Sequence, residues 1–223
     1  AVLSHPSPNF GPRRDGAQVS LVVVHYTAME SAAAALERLC DPAAEVSAHY
    51  LISEDGTLFS LVAEDSRAWH AGAGAWGGIQ DVNSHSIGIE LANDGDSPFP
   101  EAQMAAVEGL LDDVMGRHGS APARVSAHSD LAPGRKIDPG PRFDWRRLAL
   151  GGRSIWPAPS KPGAVFEDLA RFGYALDAGE AAVLAAFRAR FRPGATGPQD
   201  EIDAGLAADL AARFGVDPGG VSS

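Results

Sequence analysis

Cysteine is almost absent from this sequence. Among its 223 residues there is a single one, Cys40, so no intrachain disulfide can form. Cys40 ends an alanine-rich stretch, and we expect a buried, inert thiol there. One cysteine does not decide between an oxidising and a reducing compartment.

Basic side chains and long apolar runs are also scarce. The chain carries 18 Lys and Arg against 29 Asp and Glu, which gives a formal net charge of −11. A nucleic-acid partner is therefore not expected, because phosphate binding requires a basic surface. No uninterrupted apolar stretch approaches the ~20 residues of a membrane-spanning helix, so we expect no transmembrane segment.

The sequence does contain apolar segments of two different periodicities. Hydrophobic residues make up 45% of the chain, which is enough for a substantial core. Continuous or alternating apolar runs predict strands, and apolar residues three and four positions apart predict helices. Strands that alternate with helices favour an α/β fold, here a central mixed β-sheet flanked by helices. We predict strands over 21–24, 47–52, 57–62, 86–91 and 123–127, and helices over 29–39 and 100–118.

The composition changes after Leu150. Glycines and prolines predict a linker there, and three amphipathic helical patterns follow it. We therefore divide the chain into a catalytic domain over 1–153, a linker over 154–163 and a small three-helix C-terminal domain over 164–223. A domain of about 60 residues is marginal alone. Docking on the catalytic domain would bury its aromatic residues, among them Phe166, Phe187 and Phe191.

The segment Ala127–Gly140 has the highest density of reactive side chains. His128, Lys136 and Asp138 lie on a stretch that two Pro-Gly pairs predict to be a loop. His25 and His128 each follow an apolar run that we assign to a strand. Two histidines and one aspartate in such positions are typical of a zinc site, and they leave one tetrahedral position for water, as catalytic sites do. The alternatives are hydrogen-bonded core histidines and, for Asp138, a simple turn.

Two further charged residues are candidates for catalysis. Glu90 interrupts the apolar pattern of the predicted strand over 86–91, where a carboxylate could act as general base and acid beside a metal-bound water. Lys136 precedes Asp138 by two residues and could face the oxyanion of a tetrahedral intermediate. The alternatives are a solvated strand end and a solvated loop lysine.

Four more residues are candidates for contact with a substrate. His70 and Trp76 border a loop of small residues, and an aromatic side chain at the rim of a cleft suits a sugar or a peptide. His70 could instead support a metal ligand. Asn83 could exchange hydrogen bonds with an amide, and Arg67 could meet a carboxylate. The neighbouring Trp69 is more typical of a core residue.

Five blocks of sequence together resemble the zinc N-acetylmuramoyl-L-alanine amidases of the amidase-2 class, whose fold peptidoglycan recognition proteins share. The blocks stand in the family's order over roughly residues 15 to 150. The resemblance implies that Glu90 is the catalytic carboxylate and Lys136 the transition-state cation. It implies three zinc ligands, His25, His128 and Asp138. The blocks are Val22–Thr27, Ser47–Ile52, Trp69–Gly72, Asn83 with Ser86–Leu91, and Ala127–Asp130 with Lys136–Gly140.

The C-terminal segment has a resemblance of its own. It is similar to the three-helix peptidoglycan-binding-like domain attached to the AmpD/AmiD branch of these amidases. The matching pieces are Phe187–Pro193 and Gly197–Pro198. A wall-binding domain would favour the periplasm or cell envelope, with the cytoplasm as the alternative.

The resemblance implies a specific reaction. A zinc hydrolase of this class cuts the amide bond between N-acetylmuramic acid, or its anhydro form, and the L-alanine of the stem peptide, in cell-wall turnover or recycling. The expected partner is peptidoglycan or a soluble muropeptide. Two alternatives stay open, a zinc peptidase acting within the stem peptide and a non-catalytic peptidoglycan-binding protein. The oligomeric state is not predicted.

Overall fold

Short strands and helices alternate along the chain, as the sequence predicts. The computed structural model describes residues 2–216. The strands are β1 (Val2–Ser4), β2 (Phe10–Pro12), β3 (Leu21–Tyr26), β4 (Tyr50–Ile52), β5 (Leu58–Ser60), β6 (Ser66–Ala68), β7 (Ser86–Leu91) and β8 (Val125–Ala127). The α-helices are α1 (Ala32–Cys40), α2 (Val82–His85), α3 (Glu101–His118), α4 (His128–Leu131), α5 (Trp145–Leu150), α6 (Val165–Phe172), α7 (Glu180–Phe191) and α8 (Glu201–Phe214).

Six of these strands form one mixed sheet in the order β1-β5-β4-β7-β3-β8. The four strands β4, β7, β3 and β8 run parallel to one another. Strand β5 is antiparallel to β4, with which it forms a hairpin, and β1 is parallel to β5. Strands β2 and β6 pair in a separate antiparallel sheet. The predicted central mixed sheet flanked by helices is confirmed.

The long helix α3 covers one face of the sheet. Its apolar residues, spaced as the sequence predicts, pack against Val22 and Val24 of β3. The helix ends at Gly119, whose φ of 62° is the left-handed conformation that commonly terminates helices. Because side chains alternate along a strand, Leu21 and Val23 face the opposite side of the sheet, and His25 follows them on that side.

The helices α6, α7 and α8, here called the C-terminal module (Val165–Phe214), pack on that opposite side. The three helices cover the three predicted helical patterns, and residues 217–223 of the predicted domain lie outside the described residues. The module has no apolar core separate from that of residues 2–153. Phe187 and Phe191 share one cluster with Leu21, Val23 and Trp76.

Two local expectations are corrected by the structure. Cys40 is half-buried, because it is the last residue of α1, one position beyond the core residue Leu39. The predicted loop over 127–140 begins with the helical turn α4, since the Asp130 carboxylate accepts the Ala127 N–H and caps it. Within 2–216, no helix is both long and apolar enough to cross a membrane.

The shared core generates a prediction about truncation. Deleting the chain from Trp156 onward would uncover Trp76, whose ring lies 5.1 Å from those of Phe172 and Tyr174. We expect the fragment to aggregate or to unfold at a much lower temperature, because a large apolar patch becomes exposed. Size-exclusion chromatography and circular dichroism measure this. A monomeric fragment with the thermal stability of the full chain would contradict the prediction.

Candidate metal centre and active site

The register of the parallel strands brings the predicted reactive residues to one edge of the sheet. His25 and Glu90 are paired residues of the neighbouring strands β3 and β7. Paired residues of parallel strands project to the same face, so both side chains point away from α3. Ala127 ends β8 opposite Val24, and His128 therefore follows at the level of His25.

Three ligand atoms converge at this edge. The Nδ1 atoms of His25 and His128 lie 2.9 Å apart. Asp138 places its Oδ2 atom 2.9 Å from the first of these nitrogens and 3.1 Å from the second. All three side chains are buried. The predicted ligand set is thus assembled from two strand ends and a loop.

The outer nitrogen of His128 shows which way its ring is protonated. Its Nε2 lies 2.9 Å from the Ala71 carbonyl oxygen, which can only accept, so Nε2 donates its proton there. With a proton on Nε2, the other ring nitrogen, Nδ1, faces His25 and Asp138. Fixing a histidine in this way through a backbone carbonyl is common at metal sites.

A chain of hydrogen bonds sets the protonation of His25 in the same sense. The Ser86 hydroxyl donates to the Val82 carbonyl at 2.6 Å, so toward His70 Nε2, at 3.1 Å, it accepts. His70 therefore carries its proton on Nε2, and its Nδ1 accepts from His25 Nε2 at 2.9 Å. The inner Nδ1 of His25 is left with a free lone pair.

The result is three electron-pair donors facing one another without a proton between them. Burial and the neighbouring His128 lower the pKa of His25 to about 4, so its ring is neutral near pH 7. Such a cluster is unfavourable unless a cation lies among the three atoms. Two neutral imidazoles and one carboxylate fit a divalent metal ion of the zinc type.

A glycine makes room for the histidine that supports His25. A Cβ atom on Gly88 would lie 2.4 Å from the ring of His70, so any other residue at position 88 would displace that ring. Asn83 holds the backbone of His70 and Ala71, because its Oδ1 accepts their N–H groups at 3.1 and 2.8 Å. Sequence analysis missed Ser86 and Gly88, although a glycine inside an apolar strand is a signal of close approach.

Glu90 lies beside this cluster in an environment that opposes its charge. Its Oε2 atom is buried and has no hydrogen-bond partner among the described residues. Burial, and then the negative charge of Asp138, raise the pKa of Glu90 well above its usual value. A carboxylate with a raised pKa is suited to accept a proton and to return it.

A cavity of about 480 Å³ opens over these residues. Its lining includes the three ligand residues and Glu90. The lining also includes the cations of Arg38, Arg135 and Lys136, the aromatic rings of Tyr26 and Trp69, and several apolar side chains. Lys136 therefore lies on the same cavity as Glu90.

The structure corrects three of the four predicted substrate contacts. Trp76 is 1% exposed and belongs to the core shared with the C-terminal module, whereas Trp69, expected in the core, lines the cavity. Arg67 binds Asp81, with 2.9 Å between NH2 and Oδ1, instead of pointing into the cavity. Asn83 is occupied with backbone N–H groups, as described above. His70 contacts His25, the candidate metal ligand, with 2.9 Å between its Nδ1 and His25 Nε2, in line with the alternative role given for it.

Comparisons with known proteins agree with this geometry. The family model described as N-acetylmuramoyl-L-alanine amidase matches residues 15–141, more than half of the chain. The chain belongs to this amidase family. All the ligand residues of the candidate metal centre, and Glu90 and Lys136 with them, fall inside the matched range.

Relatives of this amidase family match to different extents. Escherichia coli AmiD is 35% identical over 90% of this chain and 85% of its own, and its complex with anhydro-N-acetylmuramic acid-L-Ala-D-γ-Glu-L-Lys superposes with a TM-score of 0.81. Pseudomonas aeruginosa AmpDh3 in complex with anhydromuramic pentapeptide is 31% identical, with a TM-score of 0.81, over 94% of this chain and 95% of that chain. Enterobacter cloacae AmpD is 34% identical over 64% of this chain and 86% of its own.

The buried carboxylate generates a prediction with two opposite effects. Glu90→Gln should lower kcat by about 10²–10⁴-fold, the usual contribution of a general base, while zinc stays bound. The same change should raise the melting temperature of the metal-free protein near pH 8. The folded state raises the pKa of Glu90, so unfolding becomes easier as the pH rises through that pKa, and glutamine removes this cost.

Steady-state kinetics, elemental analysis and thermal unfolding at pH 5 and pH 8 test the two effects. The stability gain should shrink at pH 5, because lowering the pH favours the protonated form of Glu90 and so reduces the cost of its burial. Turnover near that of the unchanged protein would show that Glu90 is not the base. Loss of zinc in the variant would make Glu90 a ligand.

Proposed function

We propose that this chain is a zinc-dependent N-acetylmuramoyl-L-alanine amidase. It would hydrolyse the amide bond between N-acetylmuramic acid, or its anhydro form, and the L-alanine of peptidoglycan stem peptides, in cell-wall turnover or recycling. The observation that carries this proposal is the convergence of His25, His128 and Asp138 beside Glu90, whose Oε2 atom is buried. The anhydromuramyl peptides bound to AmiD and AmpDh3 support the substrate class.

The proposed zinc ligands are His25 Nδ1, His128 Nδ1 and Asp138 Oδ2. When bound, zinc would supply Lewis-acid polarisation of the scissile carbonyl and a lowered pKa for the attacking water. Three protein ligands leave a further position for water or substrate, which is the pattern of catalytic zinc sites. Imidazole and carboxylate donors suit zinc better than the harder cations that prefer oxygen alone.

Glu90 is the proposed proton carrier. It would accept the proton of the attacking water at its carboxylate and return it to the nitrogen of the departing L-alanine. The burial that raises its pKa suits this role, because a raised pKa makes the carboxylate a better proton acceptor.

Lys136 is the proposed oxyanion stabiliser. Its side chain lines the cavity together with Glu90, and a cation there would favour the negative charge that develops on the carbonyl oxygen. His70 would act indirectly, by holding His25 in the protonation state that binds the metal.

We also propose the division into a catalytic domain over 1–153, a linker over 154–163 and a peptidoglycan-binding-like domain over 164–223. The chemistry would belong to the first of these. Location in the periplasm or cell envelope, with the cytoplasm as the alternative, stays a prediction that cell fractionation can test.

Product analysis tests the function. The full chain should convert anhydro-N-acetylmuramyl-L-Ala-D-γ-Glu-L-Lys into the free muramic acid moiety and a tripeptide that begins with L-alanine, as mass spectrometry would show. Chelator-treated protein should lose this activity and added zinc should restore it. Shortened peptides still attached to the sugar would indicate a peptidase, and no product from zinc-loaded protein would indicate a binding protein. Full turnover by protein shown to be metal-free would refute the zinc mechanism.

The oxyanion role of Lys136 makes a kinetic prediction. Lys136→Met should lower kcat by about 10²-fold and change KM little, because the negative charge exists only in the transition state. Lys136→Arg, which keeps the charge, serves as the control and should retain more of the activity. A raised KM with unchanged kcat in Lys136→Met would instead assign Lys136 to ground-state binding.

A further inference from the structure

A buried arginine of the C-terminal module reaches into the catalytic part of the chain. Arg190 lies on α7, and its side chain is 1% exposed. Its NH1 donates to Asp130 Oδ2 at 2.6 Å, and its NH2 donates to the Val125 carbonyl at 2.8 Å and to Ser154 Oγ at 3.3 Å. Its Cζ lies 4.4 Å from the centre of the Trp145 ring. These hydrogen-bond partners and Trp145 all lie outside the module of Arg190, whereas the ring of Phe191, 4.6 Å from its Cζ, belongs to it.

A second residue of the module binds the same carboxylate. The Tyr174 hydroxyl donates to Asp130 Oδ1 at 2.5 Å. The other oxygen, Oδ2, also accepts the Ala127 N–H at 3.0 Å. Asp130 is fully buried, so both of its oxygens are bonded inside the protein, and each receives a donor from the module.

These contacts lie at both ends of the segment that carries the proposed metal ligand His128. Val125 begins β8 and Asp130 lies in α4, so one guanidinium holds both ends of a six-residue segment with His128 inside it. The same turn holds the second ligand residue, because the Ser129 N–H donates to the Asp138 carbonyl at 3.0 Å. The position of this segment therefore sets the separation of His128 and Asp138.

We infer that Arg190 and Tyr174 are positioning residues of the metal centre, acting through Asp130 on His128 and Asp138. The inference rests on the zinc site proposed above. A buried ion pair adds little net stability compared with apolar residues of the same shape, because both charges lose their hydration. What it does provide is a fixed geometry, here at a turn where the ligand atoms must converge. The C-terminal module is accordingly part of the support of the metal site, besides any role in binding the cell wall.

The affinity of the full-length protein for zinc tests this inference. Tyr174→Phe removes a single donor to Asp130, and Arg190→Met removes the guanidinium. Competition with a chromophoric zinc chelator should show weaker binding by about tenfold for Tyr174→Phe and by more for Arg190→Met, in the range known for groups that orient metal ligands. Tyr174→Phe decides the question if Arg190→Met does not fold.

Arg188→Met is the matched control. Arg188 lies on the same helix and forms a buried ion pair with Asp203, 2.5 Å from NH2 to Oδ2, which stays inside the module. This variant should lower the melting temperature while zinc affinity remains that of the unchanged protein. Unaltered zinc affinity in folded Tyr174→Phe and Arg190→Met would overturn the inference, and so would an equal loss in Arg188→Met, since general loosening of the module would then suffice.

The same titration separates this inference from the proposed function. If the unchanged protein binds no zinc, the proposed metal site fails and the inference fails with it. If the unchanged protein binds zinc and all folded variants bind it equally well, the inference alone fails. Product identity, measured separately by mass spectrometry, does not depend on either outcome.

Discussion

The mutual repulsion of three buried electron-pair donors is the constraint on which the rest of this structure depends. His25, His128 and Asp138 hold their ligand atoms 2.9–3.1 Å apart, and nothing in their chemistry would bring them together without a cation. The protein therefore fixes the two imidazoles through hydrogen bonds to their outer nitrogens. A carbonyl fixes one imidazole, and the chain from His70 to Ser86 fixes the other. This surrounding network makes the site ready for a metal ion before one arrives.

The sheet supports that network, and the site in turn constrains which residues can occupy particular positions of the strands. Parallel register puts His25 and Glu90 side by side, and the absence of a side chain at Gly88 leaves space for the ring of His70. Glu90 itself is placed where burial disfavours its ionised form. Sites that need such groups commonly trade some folding stability for function, and here the large apolar clusters on both faces of the sheet offset that cost.

Within residues 2–216, the C-terminal module is joined to the rest of the chain by apolar packing and by one buried ion pair, Arg190 with Asp130. These two kinds of contact determine different things. The shared cluster around Trp76 is large and tolerant of small shifts, because dispersion and burial are non-directional. The contact of Arg190 with Asp130 is directional, and Asp130 lies two residues after the proposed metal ligand His128. Apolar packing therefore keeps the module in place, while the ion pair aligns it with the turn that presents His128.

The sequence by itself determined the order of the main elements and the fold class, and it indicated the candidate ligand set, because apolar periodicity and strand-end histidines are local signals. It also indicated Glu90, since a carboxylate in an apolar strand is locally anomalous. Only the tertiary structure decided which aromatic side chain reaches the cavity, Trp69 or Trp76, and which partners occupy Asn83 and Arg67. The burial of Trp76 depends on the docking of the C-terminal helices. The partners of Asn83 and Arg67 lie 12 to 14 residues away along the chain, so no local pattern encodes them.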